Sequence, residues 1–584
     1  MSNIPQSLQS KIMDHLIFLY GSEQADSVWS RLETILDDFY DSNPSLSESA
    51  AGFLSQRDAM LITYGDQISE PGRPPLQTLA EFVEAHLCGV VSGVHILPFY
   101  PYSSDDGFSV IDYRQVDPSL GTWDDVACLE QNFRLMFDAV INHISRHSRW
   151  FQGFVRGESP YTDYFIPVDP DIDLSAVVRP RALPLLTPVE TVNRVKHVWT
   201  TFSDDQIDLN YANPEVLLEI LDLLLFYAAQ GAAFIRLDAI AYLWKEIGTS
   251  CIHLPQTHRV IKLFRAVLDA VAPDVILITE TNVPHEENIS YFGDPVPETG
   301  STDEAQLVYQ FPLPPLVMHS LVSGSARALS EWAAELKAPP QATFFNFTAS
   351  HDGIGVMPVR GLLSEIEVQA LIDTALAHGG KVSYKANADG SRTVYELNIS
   401  YFDALSDPAA GEPQSVQVKR FIVSQAIMLA MAGLPGIYVH SLLGSRNWRE
   451  GVAQTGHNRT INRQKFDRAS LEAELAAPDS LRHQVFSAYT RLLRARAAEP
   501  AFHPYGRQQV LFLNKGVFAL LRISLNGESR VLCLHNVSAK EQPVQIDLRP
   551  GEWRDLLTGE KYPARGNGFS ITLPPYAVRW LKKR

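Results

Sequence analysis

The chain has 584 residues, 45% of them hydrophobic and 20% charged, with 34 glycines and 37 prolines. That balance excludes a disordered, collagen-like or coiled-coil chain and predicts a large multidomain globular protein. A formal net charge of −18 at pH 7 gives no overall attraction to nucleic-acid phosphates or anionic lipid, so neither partner is expected.

Four cysteines, Cys88, Cys128, Cys251 and Cys533, stand far apart without a C-x-x-C pair, which supports neither a disulfide framework nor a zinc site. No run of eighteen apolar residues occurs, and Asp14 and His15 interrupt the first apolar stretch. A soluble, cytoplasmic protein is predicted.

Residues 1–55 read as an amphipathic helical appendage: Leu8, Ile12, Leu16 and Phe18 through Leu32, Ile35 and Leu36 recur near helical spacing. Eight apolar runs of strand length follow, at 59–65, 93–99, 134–142, 234–240, 275–281, 307–311, 343–352 and 434–441, with helix-like stretches between them. Strands that do not alternate are buried on both faces, and eight such strands with helical crossovers predict an α/β fold, a (β/α)8 TIM barrel over 56–499. Two gaps are too long for plain crossovers and read as inserted domains, 144–230 after strand three and 356–430 after strand seven. Beyond Pro500 the short alternating runs GVFALLRIS, RVLCLHNV, QPVQIDL and GFSITLPP predict a small antiparallel β domain at 500–584.

In such a barrel the reacting groups gather at the carboxyl ends of the strands. Asp105, Asn142–His143, Arg236, Asp238, Glu280 and His351–Asp352 all fall there. Asp238 and Glu280 are acids set in apolar strands, where an unpaired carboxylate costs several kcal/mol. Alternation puts Arg236 on the same face as Asp238 and predicts that its charge keeps that carboxylate ionised, as a nucleophile requires. Glu280 ends a more apolar strand, so desolvation is expected to raise its pKa into the range of a general acid/base. One acid poised low and one high is the division of labour of a retaining glycosidase.

The segments INH (141–143), IRLDA (235–239), ITE (278–280) and SHD (350–352) resemble, in order, the four motifs of the α-amylase superfamily. The resemblance implies Asp238 as nucleophile, Glu280 as acid/base and Asp352 as transition-state stabiliser. It also implies a glucose subsite lined by Asp105, His143, Arg236, His351 and Arg463, with Phe202 and Gln206 bordering the cleft, and a C-terminal β-sandwich. GVHILPFYPYSSDDGFSVIDY (93–113), RPRALPLL (179–186), VWTTFSDDQIDL (198–209) and NRTINR (458–463) are similar to the sucrose phosphorylase branch. That branch transfers an α-glucosyl group to inorganic phosphate, and the likeness implies Arg181 and Tyr395 as phosphate contacts.

Residues 378–405 and LLGSRNW (442–448) look more like relatives acting on 2-O-α-glucosylglycerate than on sucrose, because Thr393 stands where the branch has an aspartate for fructose. Sucrose, glucosylglycerol and sucrose 6′-phosphate stay open behind glucosylglycerate, as does an α-glucosidase or transglucosidase of the same chemistry. A glycerate carboxylate wants a cation, and Arg146, Arg149, Lys385 and Arg446 are the expected choices. The expected partners are thus a small α-glucoside and phosphate, with a homodimer left open. The helix-like KEIGTSCIHLPQTH (245–258) holds Cys251 and His253 without a third ligand, so it reads as structural and no metal is expected. No Gly-rich phosphate loop follows a strand, so no cofactor is expected.

Overall fold

Each of the eight apolar runs becomes a strand of one closed barrel: β1 (Met60–Thr63), β2 (Gly93–Ile96), β3 (Arg134–Ala139), β4 (Ala232–Leu237), β5 (Ile276–Thr279), β6 (Leu307–Tyr309), β7 (Thr343–Asn346) and β8 (Leu434–Tyr438). The computed structural model describes residues 4–48, 54–181, 183–296, 300–387, 391–546, 551–564 and 568–583. Every neighbouring pair in the barrel is parallel, and β8 closes on β1 with Met60 opposite Gly436. The strands are buried on both faces, because their inner side chains fill the barrel and their outer ones pack under the helices.

The strands stop earlier than their apolar runs. β3 ends at Ala139 and β7 at Asn346, so Asn142, His143, His351 and Asp352 sit in the segments beyond the barrel strands, where a site can be built. The long gap after β3 holds a pair, His143–Ser145 with Gln206–Asp208, and a three-stranded sheet of Pro167–Val168, Val195–Trp199 and Leu186–Glu190. It closes with the helix Pro214–Ala229, which packs against β4. The gap after β7 carries the strands Ile354–Gly355, Arg392–Asn398 and Lys381–Ala386 in one antiparallel sheet. It ends in the helix Gln414–Ala430 that leads back to β8. In both gaps the small sheet is the insertion, and the final helix is a barrel crossover.

The appendage is two helices, α1 (Gln6–Tyr20) and α2 (Ser22–Ser42). Residues 1–3 and 49–53 of the expected segment lie outside the described residues. Ile12, Leu16, Leu32 and Leu36 are buried, and α1 packs on the barrel helix Pro255–Val271. Phe18, read as part of the apolar stripe, is instead exposed beneath the Arg259 guanidinium.

At the other end a six-stranded antiparallel sheet and a two-stranded one, Gln542–Ile546 with Phe569–Leu573, face each other. Val517, Leu532 and Leu581 meet Val544, Phe569 and Leu573 between them, making the sandwich core. The last two residues of the QPVQIDL run lie outside the described residues. Arg496, fully buried, fastens three parts of the chain: its guanidinium donates to the carbonyls of Gln56, Asp58, Leu429, Gly433 and Phe502.

Candidate active site

β4 presents Arg236 at its penultimate position and Asp238 just past its end, and β5 presents Glu280 just past its own. The Arg236 guanidinium joins them. Its Nη1 donates to Asp238 Oδ1 at 2.8 Å, and its Nη2 lies 3.9 Å from Glu280 Oε2. The two acids foreseen from the sequence thus converge on one cation. Ala239 follows Asp238 in the left-handed region (φ 50°), a conformation that L-residues resist and that clusters at functional sites. The turn aims its N–H at Glu280 Oε2, 3.1 Å away.

Behind Arg236 lies a residue the sequence reading passed over. Asp138, fully buried on β3, accepts from Arg236 Nη1 and has His95 Nε2 2.7 Å from its other oxygen. This second aspartate changes the electrostatics. Burial raises the Asp238 pKa above its ordinary value, and the Arg236 charge does not overcome it because Asp138 shares that charge and adds its own repulsion. The expectation of an acid held low by Arg236 therefore fails. Glu280 behaves as expected. Burial, reinforced by the charges of Asp238 and Asp352 and opposed by Arg236, lifts it to about 7.

The walls come from the loops. Asp105 begins a short turn with φ 53° and accepts from Arg181 Nη2 at 2.9 Å. Burial disfavours its charge, yet Arg181, Arg459 and Arg463 together hold its carboxyl far below the usual range. The Phe108 carbonyl accepts from Gln206 Nε2 at 2.9 Å and lies 2.9 Å from His143 Nε2. The Phe108 ring stacks on His351 with centroids 4.7 Å apart. Burial pushes both histidines down, His351 well down, so both are neutral at pH 7. Arg463 Nε donates to the His351 carbonyl at 2.8 Å, its Nη1 pairs with Asp106, and its Nη2 lies 3.9 Å from Asp352.

Two further cations escaped the sequence reading. Arg459 lies in the quoted NRTINR segment, where Arg463 alone was read as functional. It forks onto Glu396, with Nε 3.0 Å and Nη2 2.7 Å from the two oxygens, and reaches Asp352 Oδ1 at 2.7 Å. Lys245, in the stretch read as helix-like, is buried with Nζ 2.7 Å from Asp208 and 2.8 Å from Asn142 Oδ1. Asp208 also accepts from the Thr201 N–H and hydroxyl. This network pins the pair of strands that carries His143 and Gln206. The stretch itself is irregular before Pro255, with Cys251 and His253 at positive φ. Among the described residues no group of three metal-ligating side chains occurs.

These groups border a cavity of about 420 Å³, within the range of small-molecule sites. Glu280, Asp352, Phe202, Arg181 and Tyr395 line it, as does His253, which the sequence reading had treated as structural. Asp238 is buried beside it, with Ala239 in the wall. Asp105, His143, Gln206, Arg236, His351 and Arg463 are not among the lining residues. Tyr395 owes its place to a β-bulge: Ser383 pairs with Glu396 and Tyr384 with Val394, leaving Tyr395 as the extra residue, which a bulge re-aims. Next to Asp352, Gly353 has no room for a side chain, since a Cβ there meets the Leu397 carbonyl at 2.5 Å.

Of the four cations expected to meet a leaving-group carboxylate, Lys385 lines the cavity. Arg446 is committed to Asp403 and Gln417. Arg149 borders a separate hollow with Tyr113 and Glu219, and Arg146 does not line the cavity. Arg179, which the sequence reading did not single out, does.

Residues 89–353 match the family model for the alpha-amylase catalytic domain, and 509–580 match that for the maltogenic amylase C-terminal domain. The chain is 50% identical over 582 residues, all of both chains, to a glucosylglycerate phosphorylase of Allomeiothermus silvanus. It is 44% identical to one from Escherichia coli, over 98% of this chain and all of that one. Among solved structures it resembles a sucrose 6F-phosphate phosphorylase from Thermoanaerobacter thermosaccharolyticum, with TM-score 0.71 and 26% identity over 87% of this chain and 98% of that one.

Proposed function

Because this chain belongs to the α-amylase family, in its sucrose phosphorylase branch, we propose that it is a glucosylglycerate phosphorylase. It transfers the glucosyl group of 2-O-α-glucosylglycerate to inorganic phosphate with retention, releasing α-glucose 1-phosphate and glycerate. The observation that carries the chemistry is the convergence of Asp238 and Glu280 on one guanidinium at the edge of the cavity. The likeness to glucosylglycerate phosphorylases over the full chain carries the substrate.

In the first step an Asp238 oxygen attacks C1 of glucose while the glycosidic bond breaks. The Glu280 proton passes to the departing glycerate oxygen. A carboxyl with pKa about 7 keeps that proton at neutral pH and gives it up readily. In the second step a phosphate oxygen attacks C1, the bond to Asp238 breaks, and the phosphate proton returns to Glu280. Two inversions give net retention. Asp352, held by Arg459, is placed for the sugar hydroxyls, while Arg181 and Tyr395 supply a cation and a hydroxyl for phosphate. Phe202 covers the same wall, and Asp105, His143, Gln206, His351 and Arg463 fix the glucose end.

Incubating the purified protein with 2-O-α-glucosylglycerate, with and without phosphate, tests the proposal. Glucose 1-phosphate that forms only with phosphate is the expected result. Free glucose released at one rate in both samples overturns it. In the synthetic direction, glucose 1-phosphate offered with glycerate, fructose, glycerol or fructose 6-phosphate should be consumed fastest with glycerate.

A further inference from the structure

Resting on that reading, we propose that Arg179 and Lys385 form the subsite that holds the glycerate carboxylate. Four lysine and arginine side chains line the cavity: Arg179, Arg181, Lys385 and Arg459. Two are already matched to acids. Arg181 is paired with Asp105, and Arg459 with Asp352 and Glu396. Among the described residues, Arg179 and Lys385 pair with no carboxylate.

Both are half-buried, so each carries a partly desolvated charge that an incoming anion would compensate. They come from opposite insertions. Arg179 lies between the strands Pro167–Val168 and Leu186–Glu190 of the three-stranded sheet that follows β3, and Lys385 lies on the strand Lys381–Ala386, opposite Thr393 in the sheet that follows β7. Lys385 is disfavoured as a cation by burial and by Arg360, which an anionic ligand would reverse.

Arg179 brings a planar fork and Lys385 a point charge, a combination suited to a carboxylate's two oxygens. In 2-O-glucosylglycerate the carboxylate is attached to the carbon that bears the glycosidic oxygen. An anchor for it therefore also orients the bond that Glu280 must protonate. Glycerol offers the same kind of hydroxyl without the charge, which makes the two acceptors a matched pair.

The test measures kcat/KM for glycerate and for glycerol in the synthetic direction with glucose 1-phosphate. It uses the wild type and the variants Arg179→Gln, Lys385→Gln and Lys385→Arg. The wild type reads the function itself: no preference for glycerate would sink the proposed function. If the wild type prefers glycerate, each Gln variant should lose about 10- to 100-fold on glycerate, as for a lost charged hydrogen bond. Glycerol turnover and the KM for glucose 1-phosphate should change less than about threefold, and Lys385→Arg should keep most of the preference. Equal losses on glycerate and glycerol would assign the pair a structural role. A raised KM for glucose 1-phosphate with glycerate unaffected would assign it to phosphate. Either result overturns the inference.

Discussion

Replacing Glu280 by Gln removes one proton and almost no volume. The side chain keeps an oxygen for the Ala239 N–H, 3.1 Å away in the native site, so the geometry should survive while proton transfer does not. General acid catalysis is worth about 10²- to 10⁴-fold, which corresponds to about 3–5 kcal/mol of barrier. Glucosylglycerate has an alcohol leaving group and needs the proton, so its kcat/KM should fall by that factor. From an α-glucosyl fluoride the fluoride ion departs without a proton from Glu280, so kcat/KM for glucosylation from that substrate should fall less than about tenfold.

The pH profile supplies a second reading. With Glu280 near 7, its protonated form disappears as pH rises through that value. Wild-type kcat/KM on glucosylglycerate should therefore fall about tenfold per unit above it. The E280Q variant should show no such limb. On the acid side activity should fall as Asp238, itself raised by burial, takes up a proton and ceases to be a nucleophile. Steady-state kinetics with both substrates from pH 5 to 9 decides the matter. Equal losses on the two substrates, or an alkaline limb that persists in E280Q, would refute the assignment of Glu280.

The other predictions concern groups that support the site. Lys245→Met should destabilise the protein by about 3–5 kcal/mol in urea unfolding, because it leaves the Asp208 carboxylate buried without its cation. Adding Asp208→Asn should recover part of that loss. Arg496→Met should cost a similar amount by leaving five carbonyls, most of them buried, without their donor, with kcat per folded molecule unchanged. Phe108→Leu keeps the carbonyl that binds Gln206 but loses the stack on His351. It should raise the KM for glucosyl substrates severalfold and leave the pH limb near 7 in place.

Much of this was legible in the chain because burial on both faces leaves a continuous apolar run. All eight barrel strands, β1 to β8, announced themselves in that way. So did the acids at their ends, since a lone carboxylate such as Asp238 in an apolar strand has few explanations. What stayed hidden depended on partners distant in sequence. Asp138 looks like any polar residue until its meeting with Arg236 and His95 shows why Asp238 is not held low. Lys245 sat in a stretch that looked helical, and nothing local ties it to Asp208. Arg446 looked available for a ligand and is instead consumed by Asp403. Tyr395, foreseen by resemblance, reaches the cavity through a one-residue bulge that no periodicity reveals.

The ammonium between Asn142 and Asp208 has a consequence for robustness. Being covalently tethered, Lys245 meets its aspartate at an effective concentration fixed by the fold rather than by the surroundings. Dialysis, sequestering agents and changes of buffer cation leave that charge where it is. What can remove it is a change of the lysine itself, by mutation, by chemical modification after unfolding, or by deprotonation at high pH, which burial of the side chain favours.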